Sequence, residues 1–593
     1  MTMTTPNRCA PLLAILSLTL CLSACQKLQE VKTLFVTRPS EKMPQYKAVD
    51  QLQLPEQNWT PYQRQWFYHT SQGTVLIPYR WFLALEQPHI KLIGSVPHFR
   101  DSDYLARFGF LPDSPGAENP DGLPVGFAKD TVVDPQTKKS MEVLGLTCAA
   151  CHTGQLEYKG KGVRIDGGSA TVQLAAFQTE LGYALAYADK VPFRFDRFAK
   201  QVLGDNGSEE AKQALRDQLR TLLAKGLAEQ NIAEERKLYA AEGGFGRTDA
   251  LARIGNLVFG TELDNDNLRV ADAPVNFPPL WYTSWFDWVQ YNGSIQQPMV
   301  RNIGEALGVR AKVNLSDPQA GLYSSTVNVK NLRDMEAQLA GPVPFAGVRP
   351  PSWPEAIFGA IDRAKAEAGK KLYEQHCQGC HLPPLTTPEI QNQQSDYWGP
   401  GLESRRFLKV KLVPLNEIGT DPKAAVNWAQ RTAVTGDLGL GTVSAAKGLQ
   451  VVTDKIASLK YDELGLSPEQ RTEWNGFRDS AVRAPLAYKA RPLGGIWATP
   501  PYLHNGSVPN LYQLLLPAAQ RDKTFYTGSR EFDPKYIGYT SSPLENGFEF
   551  RTSEVGNSNS GHEFRNATLG NGVIGPELSD EERWAIIEYL KTL

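Results

Sequence analysis

Two short stretches hold the residues with the clearest chemistry, Cys148-Ala-Ala-Cys151-His152 and Cys377-Gln-Gly-Cys380-His381. Each reads C-x-x-C-H, the attachment signature of c-type haem. Two thiols three residues apart on a helical turn reach the two vinyl groups of one porphyrin. The adjacent histidine then presents its imidazole to the iron from the same face. A thioredoxin-like thiol pair needs no following histidine, and a zinc ribbon needs its two pairs close together. Here the pairs lie in different halves of the chain. The spacing therefore predicts two covalently bound haem c groups, attached through Cys148, Cys151, Cys377 and Cys380, with His152 and His381 as iron ligands.

The ligand on the opposite face of each iron decides between catalysis and electron transfer. Two similar stretches follow the two motifs: Trp288-Val-Gln-Tyr291-Asn292-Gly293-Ser294-Ile295 and Pro501-Tyr502-Leu503-His504-Asn505-Gly506-Ser507-Val508. Asn-Gly alone is a common turn dipeptide, but matching order in both halves points to a duplicated haem unit. Methionine is the usual second ligand in electron-transfer cytochromes c, and the last one in this chain is Met335. Haem 2, on His381, is left with His504, His562 or no ligand. His504 is preferred because it lies in the repeat, whereas His562 follows the polar run Asn557-Ser-Asn-Ser-Gly561, which reads as a flexible loop. In the first half Tyr291 stands where His504 stands in the second. His69, His89 and His98 precede haem 1 and read as surface or core residues, and Met299 reads equally as ligand or core. An iron without a strong second ligand is open to peroxide or dioxygen.

The elements expected to hold these residues are mostly helical. Ser352-Trp-Pro-Glu355 has the form of a helix start, and the stretch Ala368-Gly-Lys-Lys-Leu372-Tyr373 leads into Cys377, with Gly369 as a place where the helix is expected to split. Ser579-Asp-Glu-Glu582 is a capping box opening a last helix with Trp584, Ile587 and Leu590 on one stripe. A helix entering C-x-x-C-H and a terminal helix packed across it form the skeleton of a small cytochrome c domain. The expected fold is mainly α, two cytochrome c-type haem domains with extensive loops and few short strands. The expected division is a leader at 1–24, a tether at 25–60, a haem 1 domain at 61–350 and a haem 2 domain at 351–593.

With 593 residues, the chain exceeds what one core usually supports. Lys plus Arg total 62 against 64 Asp plus Glu, so there is no large basic field to suggest nucleic acid as a partner. Residues 11–22 form an apolar run too short to span a bilayer and of signal-peptide length. It ends in Leu22-Ser23-Ala24-Cys25, which resembles a bacterial lipobox cleaved before Cys25. That reading places a lipid on Cys25 and the protein in the cell envelope, facing the periplasm. Gln26 after the cysteine favours the outer membrane in Gram-negative bacteria. An ordinary signal peptide with an incidental Cys25 is the other reading. Cys9 and Cys21 leave with the leader, so no thiol remains for a structural disulfide.

Gly495-Ile-Trp-Ala-Thr-Pro-Pro-Tyr-Leu-His504-Asn-Gly-Ser-Val-Pro509 resembles the C-terminal motif of the bacterial di-haem peroxidase superfamily, which includes cytochrome c peroxidases and MauG. Three further stretches resemble the rubber-oxygenase-like branch of long di-haem proteins: Leu144–Gly154, Phe286–Ile295 and Gln297–Gly308. The resemblance implies that haem 1 is the reactive centre and that haem 2 relays electrons with His504 as its distal ligand. It also implies that 281–305 lines the haem 1 pocket. Glu305 falls near the place of a pocket acid, where a carboxylate would move a proton from bound peroxide; a surface or capping glutamate is the alternative. Trp281, Trp285 and Trp288 pack the pocket or carry an electron, and such residues are more often core. Gln296 stands where rubber oxygenases carry a phenylalanine beside dioxygen, so polyisoprene cleavage is not carried over. A bound calcium ion and a periplasmic electron donor are family expectations only. The expected function is an exported di-haem oxidoreductase acting on peroxide or dioxygen, with a di-haem electron-transfer protein as its rival.

Overall fold

The computed structural model describes residues 37–90 and 95–593. The leader and Cys25 lie outside the described residues. Among the described residues no helix is long and apolar enough to cross a membrane.

The first C-x-x-C-H sits between two β-hairpins. Phe127–Val133 and Ser140–Leu146 pair antiparallel, Phe127 opposite Leu146, and Ile77–Pro78 adds a third strand. The chain leaves the motif through Thr153–Tyr158, which pairs antiparallel with Lys161–Asp166. The reversal falls on Lys159 and Gly160, both at positive φ (50° and 78°), as a two-residue hairpin with right-handed twist requires. Gln51–Gln53 extends that sheet in parallel. Leu156, Val163 and Ile165 are buried from this sheet, the kind of side chain that fits a pleated, half-covered surface. With 39% of the chain helical and 16% in strands, the fold mixes α and β, and the mainly α expectation is corrected.

The second motif has the helical setting its sequence suggests. Arg363–His376 runs directly into Cys377, with the Asp362 side chain accepting from Lys365 N, and Gln378–His381 forms a further turn. The break expected at Gly369 occurs earlier, at Gly359 (φ +95°), which isolates the short helix Glu355–Phe358. Gly369 instead lies where the terminal helix Asp580–Leu590 crosses: a Cβ there would stand 1.9 Å from the Ala585 carbonyl oxygen. Ser579 and Glu582 cap that helix reciprocally. The rings of Tyr373 and Tyr589, one from each helix, pack with centroids 5.2 Å apart.

The largest buried cluster draws on both halves of the chain, joining Ala149 and Ile303 to Trp353 and Ile587. A second cluster, rich in phenylalanine, belongs to the first half and includes Phe82, Phe99, Phe110, Phe127 and Phe177. The described part of the expected tether is packed down. Ser40 Oγ donates to Glu180 Oε1 at 2.6 Å, and the Gln57 amide donates to Asp166 O at 2.9 Å. Glu209–Glu235 is a surface helix that buries Leu215 and Leu219 and leaves Leu222 exposed.

Candidate haem sites

Both motif histidines are held in the same way. His152 N donates to Cys148 O and His381 N to Cys377 O, each at 2.9 Å, so each motif closes one turn that carries both thiols and the imidazole together. His152 Nδ1 lies 2.7 Å from Pro278 O, and His381 Nδ1 lies 2.7 Å from Arg491 O. A carbonyl only accepts, so each Nδ1 carries the proton and each Nε2 keeps its lone pair for a metal. Burial pushes His152 down to about 4 and lowers His381 as well, which keeps both imidazoles neutral. Burial also pushes the Cys148, Cys151 and Cys377 thiols up to about 12. Each motif thus presents unpaired thiols beside an imidazole whose free nitrogen is available, which is the donor set a c-type haem needs.

The two Asn-Gly-Ser loops explain how the acceptor carbonyls are placed, and they do so crosswise. His504 O accepts from Asn276 N at 2.9 Å, and two residues on from Asn276 is Pro278, the acceptor for His152. Tyr291 O accepts from Lys489 N at 2.7 Å, and two residues on from Lys489 is Arg491, the acceptor for His381. The loop of each half therefore braces the histidine of the other. Gly293 and Gly506 turn these loops at φ +63° and +68°.

The imidazole that faces His381 is His562. Their ring centroids are 6.2 Å apart, with 65° between the planes. A metal–nitrogen bond of about 2.0 Å plus about 1.2 Å from nitrogen to ring centre puts two imidazoles on opposite sides of one metal about 6.4 Å apart. His562 Nδ1 is buried with no hydrogen-bond partner, and burial pushes the ring down to about 3. The polar run before it is not loose. Buried Arg521 donates to Asn559 O (2.6 Å), Gly561 O (2.9 Å) and His562 O (2.8 Å), and it holds His562 at φ +43°. His504 is placed elsewhere: its ring stacks on Tyr488 at 3.9 Å and meets the edge of Tyr291 at 6.1 Å. The contact His504 makes with the loop that carries Pro278 is through its main-chain carbonyl, on Asn276 N. In the sequence alone the polar run before His562 reads as a flexible loop, and no local residue type signals the Arg521 clamp.

Around His152 the surroundings differ. The ring beside it is Phe277, at 6.5 Å. Among the described residues no second imidazole stacks against it. His69 is occupied on both nitrogens, by Phe127 O (2.9 Å) and Asp113 Oδ2 (3.0 Å), and Met299 is buried in the largest core cluster. Glu305 lies on helix Pro298–Gly308, close enough for its charge to act on Cys148 and Cys151. Burial holds its carboxyl above the usual range, and Gln290 Nε2 donates to it at 2.8 Å. Arg301, whose charge reaches His152, is paired with Glu336 and Asn302 Oδ1, yet its Nη1 is buried without a partner. Burial also pushes Lys489 down to about 7. A buried guanidinium with a free N–H, as on Arg301, suits a carboxylate of a haem.

Trp281 is fully buried, and its indole donates to Asp166 O at 2.8 Å. Gln296 is bound through its main chain, its carbonyl accepting from Arg478 Nη1 at 3.0 Å. Tyr291 is desolvated, which raises its phenol, and it touches His504 rather than His152. Among the described residues no cluster of three or more His, Cys, Asp or Glu is placed to hold a metal ion, so the calcium expectation has no side-chain cluster behind it.

The sequence model described as "RoxA-like, cytochrome c-like" matches residues 487–526. That stretch holds both Arg491, the acceptor for His381, and the His504-Asn-Gly-Ser loop. The uncharacterized protein y4iJ of Sinorhizobium fredii is 47% identical over 576 residues, covering 93% of this chain and 95% of that protein. The chain belongs to the family of y4iJ. A second protein of that organism, the uncharacterized y4iM, is 26% identical over 54% of this chain and 64% of its own length. This y4iJ relative thus carries a RoxA-like cytochrome c domain, and such a domain implies covalently bound haem c and a redox role. A single stretch is matched as cytochrome c-like, which corrects the expectation of two cytochrome c-type domains.

Proposed function

We propose that this protein is a di-haem oxidoreductase with one haem on His152 and one on His381, the first reactive and the second an electron relay. The observation that carries this is the difference between the two histidines: His381 faces His562, while the ring beside His152 is Phe277. When bound, the haem on His152 supplies an iron able to bind and reduce peroxide or dioxygen. That reduction takes up electrons and protons in equal number, the electrons coming from a periplasmic donor.

The chain's own residues handle the protons and exclude water. Glu305 is desolvated, which shifts its balance toward the protonated form, and Gln290 fixes its orientation. A carboxyl in that state gives a proton to a bound oxidant and retrieves one from solvent. Arg301, whose charge acts on both Glu305 and His152, has a free Nη1 that makes it a second candidate donor. His562, held by Arg521, completes the second site and closes it to external ligands. Trp281 is fully buried beside these residues, its indole held on Asp166 O and its carbonyl approached by Arg491.

The leader and Cys25 make the protein an exported lipoprotein of the cell envelope in this reading, and mass spectrometry of the mature amino terminus tests that part. The functional part is tested by a pyridine haemochrome count followed by mixing with hydrogen peroxide. Two haems per chain and rapid peroxide consumption support the proposal. Two haems that are spectrally inert to peroxide leave a plain electron carrier.

A further inference from the structure

The hydrogen bonds around the two histidines meet at a single residue. Arg491 O accepts from His381 Nδ1 at 2.7 Å. The guanidinium of the same residue reaches the other site: Nη1 donates to Pro279 O at 3.0 Å, and Nη2 approaches Trp281 O at 3.5 Å. Pro279 follows Pro278, whose carbonyl holds His152 Nδ1 at 2.7 Å. The loop carrying these carbonyls is fixed on its far side by Leu280 N to Gly167 O (2.8 Å) and Trp281 Nε1 to Asp166 O (2.8 Å). From the second half of the chain it is gripped at Asn276 by the His504 carbonyl and at Pro279 by Arg491.

Resting on the reading of one haem per histidine, we propose that Arg491 is a positioning residue coupling the two haem sites. Its main chain orients His381, and its side chain fixes the loop that orients His152. The hydrogen bond on Nδ1 sets both the direction and the basicity of a metal-bound imidazole, and such outer partners tune the metal. A substitution at Arg491 does not remove the main-chain carbonyl that His381 uses, but it releases Pro279 and so unfastens the segment that carries that carbonyl. The effect therefore reaches the haem on His152, although Arg491 sits on the segment that anchors His381. Loosening that segment at the same time moves the acceptor for His381. Among the described residues the hydrogen bonds of the guanidinium all go to carbonyls, those of Pro492, Pro279 and Trp281.

The test is a potentiometric titration of the haem-loaded protein, followed by visible absorbance, with wild type, Arg491→Met, Arg491→Lys and Arg530→Met. Arg530 is a buried arginine that bonds Ala106 O and Phe110 O and lies beside Glu157, not the acceptor loops. Arg491→Met is expected to shift the midpoints of both haems, Arg491→Lys to shift both by less, and Arg530→Met to shift neither. Movement of one wave only, of neither, or of both in Arg530→Met overturns the proposal. If Arg491→Met loses haem, Arg491→Lys decides by the same criterion. A pyridine haemochrome count on the same samples separates the two claims. One haem per wild-type chain defeats the di-haem reading, whereas two haems with unmoved midpoints defeat the Arg491 proposal alone.

Discussion

The imidazoles of His381 and His562 face each other at 6.2 Å between ring centres, and buried Arg521 locks the backbone that presents the second of them. A contact of this length also occurs between ordinary packed rings. What distinguishes this pair is that His381 Nδ1 is already committed to a carbonyl while His562 Nδ1 has no partner at all. Two neutral imidazoles in a dry site, each with an unspent nitrogen, are stable together when a metal takes both lone pairs.

The ligand assignment separates two histidines that sequence alone left in competition. His562→Ala is expected to abolish the low-spin ferric signal of the haem on His381, and His504→Ala to retain it. Electron paramagnetic resonance of the two variants reads this directly. Loss of the low-spin signal in His504→Ala alone would reverse the assignment.

Glu305→Gln keeps shape and hydrogen bonding to Gln290 while removing the exchangeable proton. General acid–base help is worth about 10²–10⁴-fold, so peroxide consumption is expected to fall by about that factor. Haem content and both ferric signals are expected to stay unchanged. Unaltered turnover in this variant would make Glu305 a structural residue.

His69 and Asp113 form a structural pair away from the haem ligands. Burial alone would raise the Asp113 carboxyl, but hydrogen bonds from His69, Ser114 and Gln65 outweigh it and hold the group below its ordinary value. A carboxylate depressed in the folded state adds stability above its unfolded value of about 3.9, and loses it as pH falls from there through the lower folded value. Asp113→Asn is therefore expected to cost about 1 kcal/mol at neutral pH and to flatten the acid limb. Urea unfolding across pH 3–7 checks this, and parallel curves for the two proteins would contradict it.

At Gly369 two effects oppose each other. Alanine gains about 1 kcal/mol of helix propensity over glycine. Its Cβ would meet a backbone oxygen at 1.9 Å, which no rotamer relieves, and overpacking of this kind costs about 1–3 kcal/mol. Gly369→Ala is expected to lower the thermal midpoint by loosening the crossing of Arg363–His376 and Asp580–Leu590. An unchanged or higher midpoint would show that the crossing opens without cost.

Features set by local covalent chemistry were readable from the chain itself. The two C-x-x-C-H motifs, the Ser579 cap and the Asn-Gly-Ser repeat all announce themselves through side-chain types at fixed spacing. The crosswise bracing was not readable, because Asn276 N to His504 O and Lys489 N to Tyr291 O are main-chain bonds with no side-chain signature. The hairpins around Cys148 escaped because glycine and proline there suggest loops, while pairing depends on register between distant segments. His562 escaped because a run of Asn and Ser looks solvent-exposed until Arg521 is seen to bind it, and Asn557 and Asn559 are in fact buried.

The central claim is inequality between the two irons, and ferric electron paramagnetic resonance of the resting, haem-loaded protein measures it most directly. One high-spin and one low-spin signal in equal amounts, with the high-spin signal alone responding to peroxide, is the expected result. Two low-spin signals that peroxide leaves untouched would contradict the account.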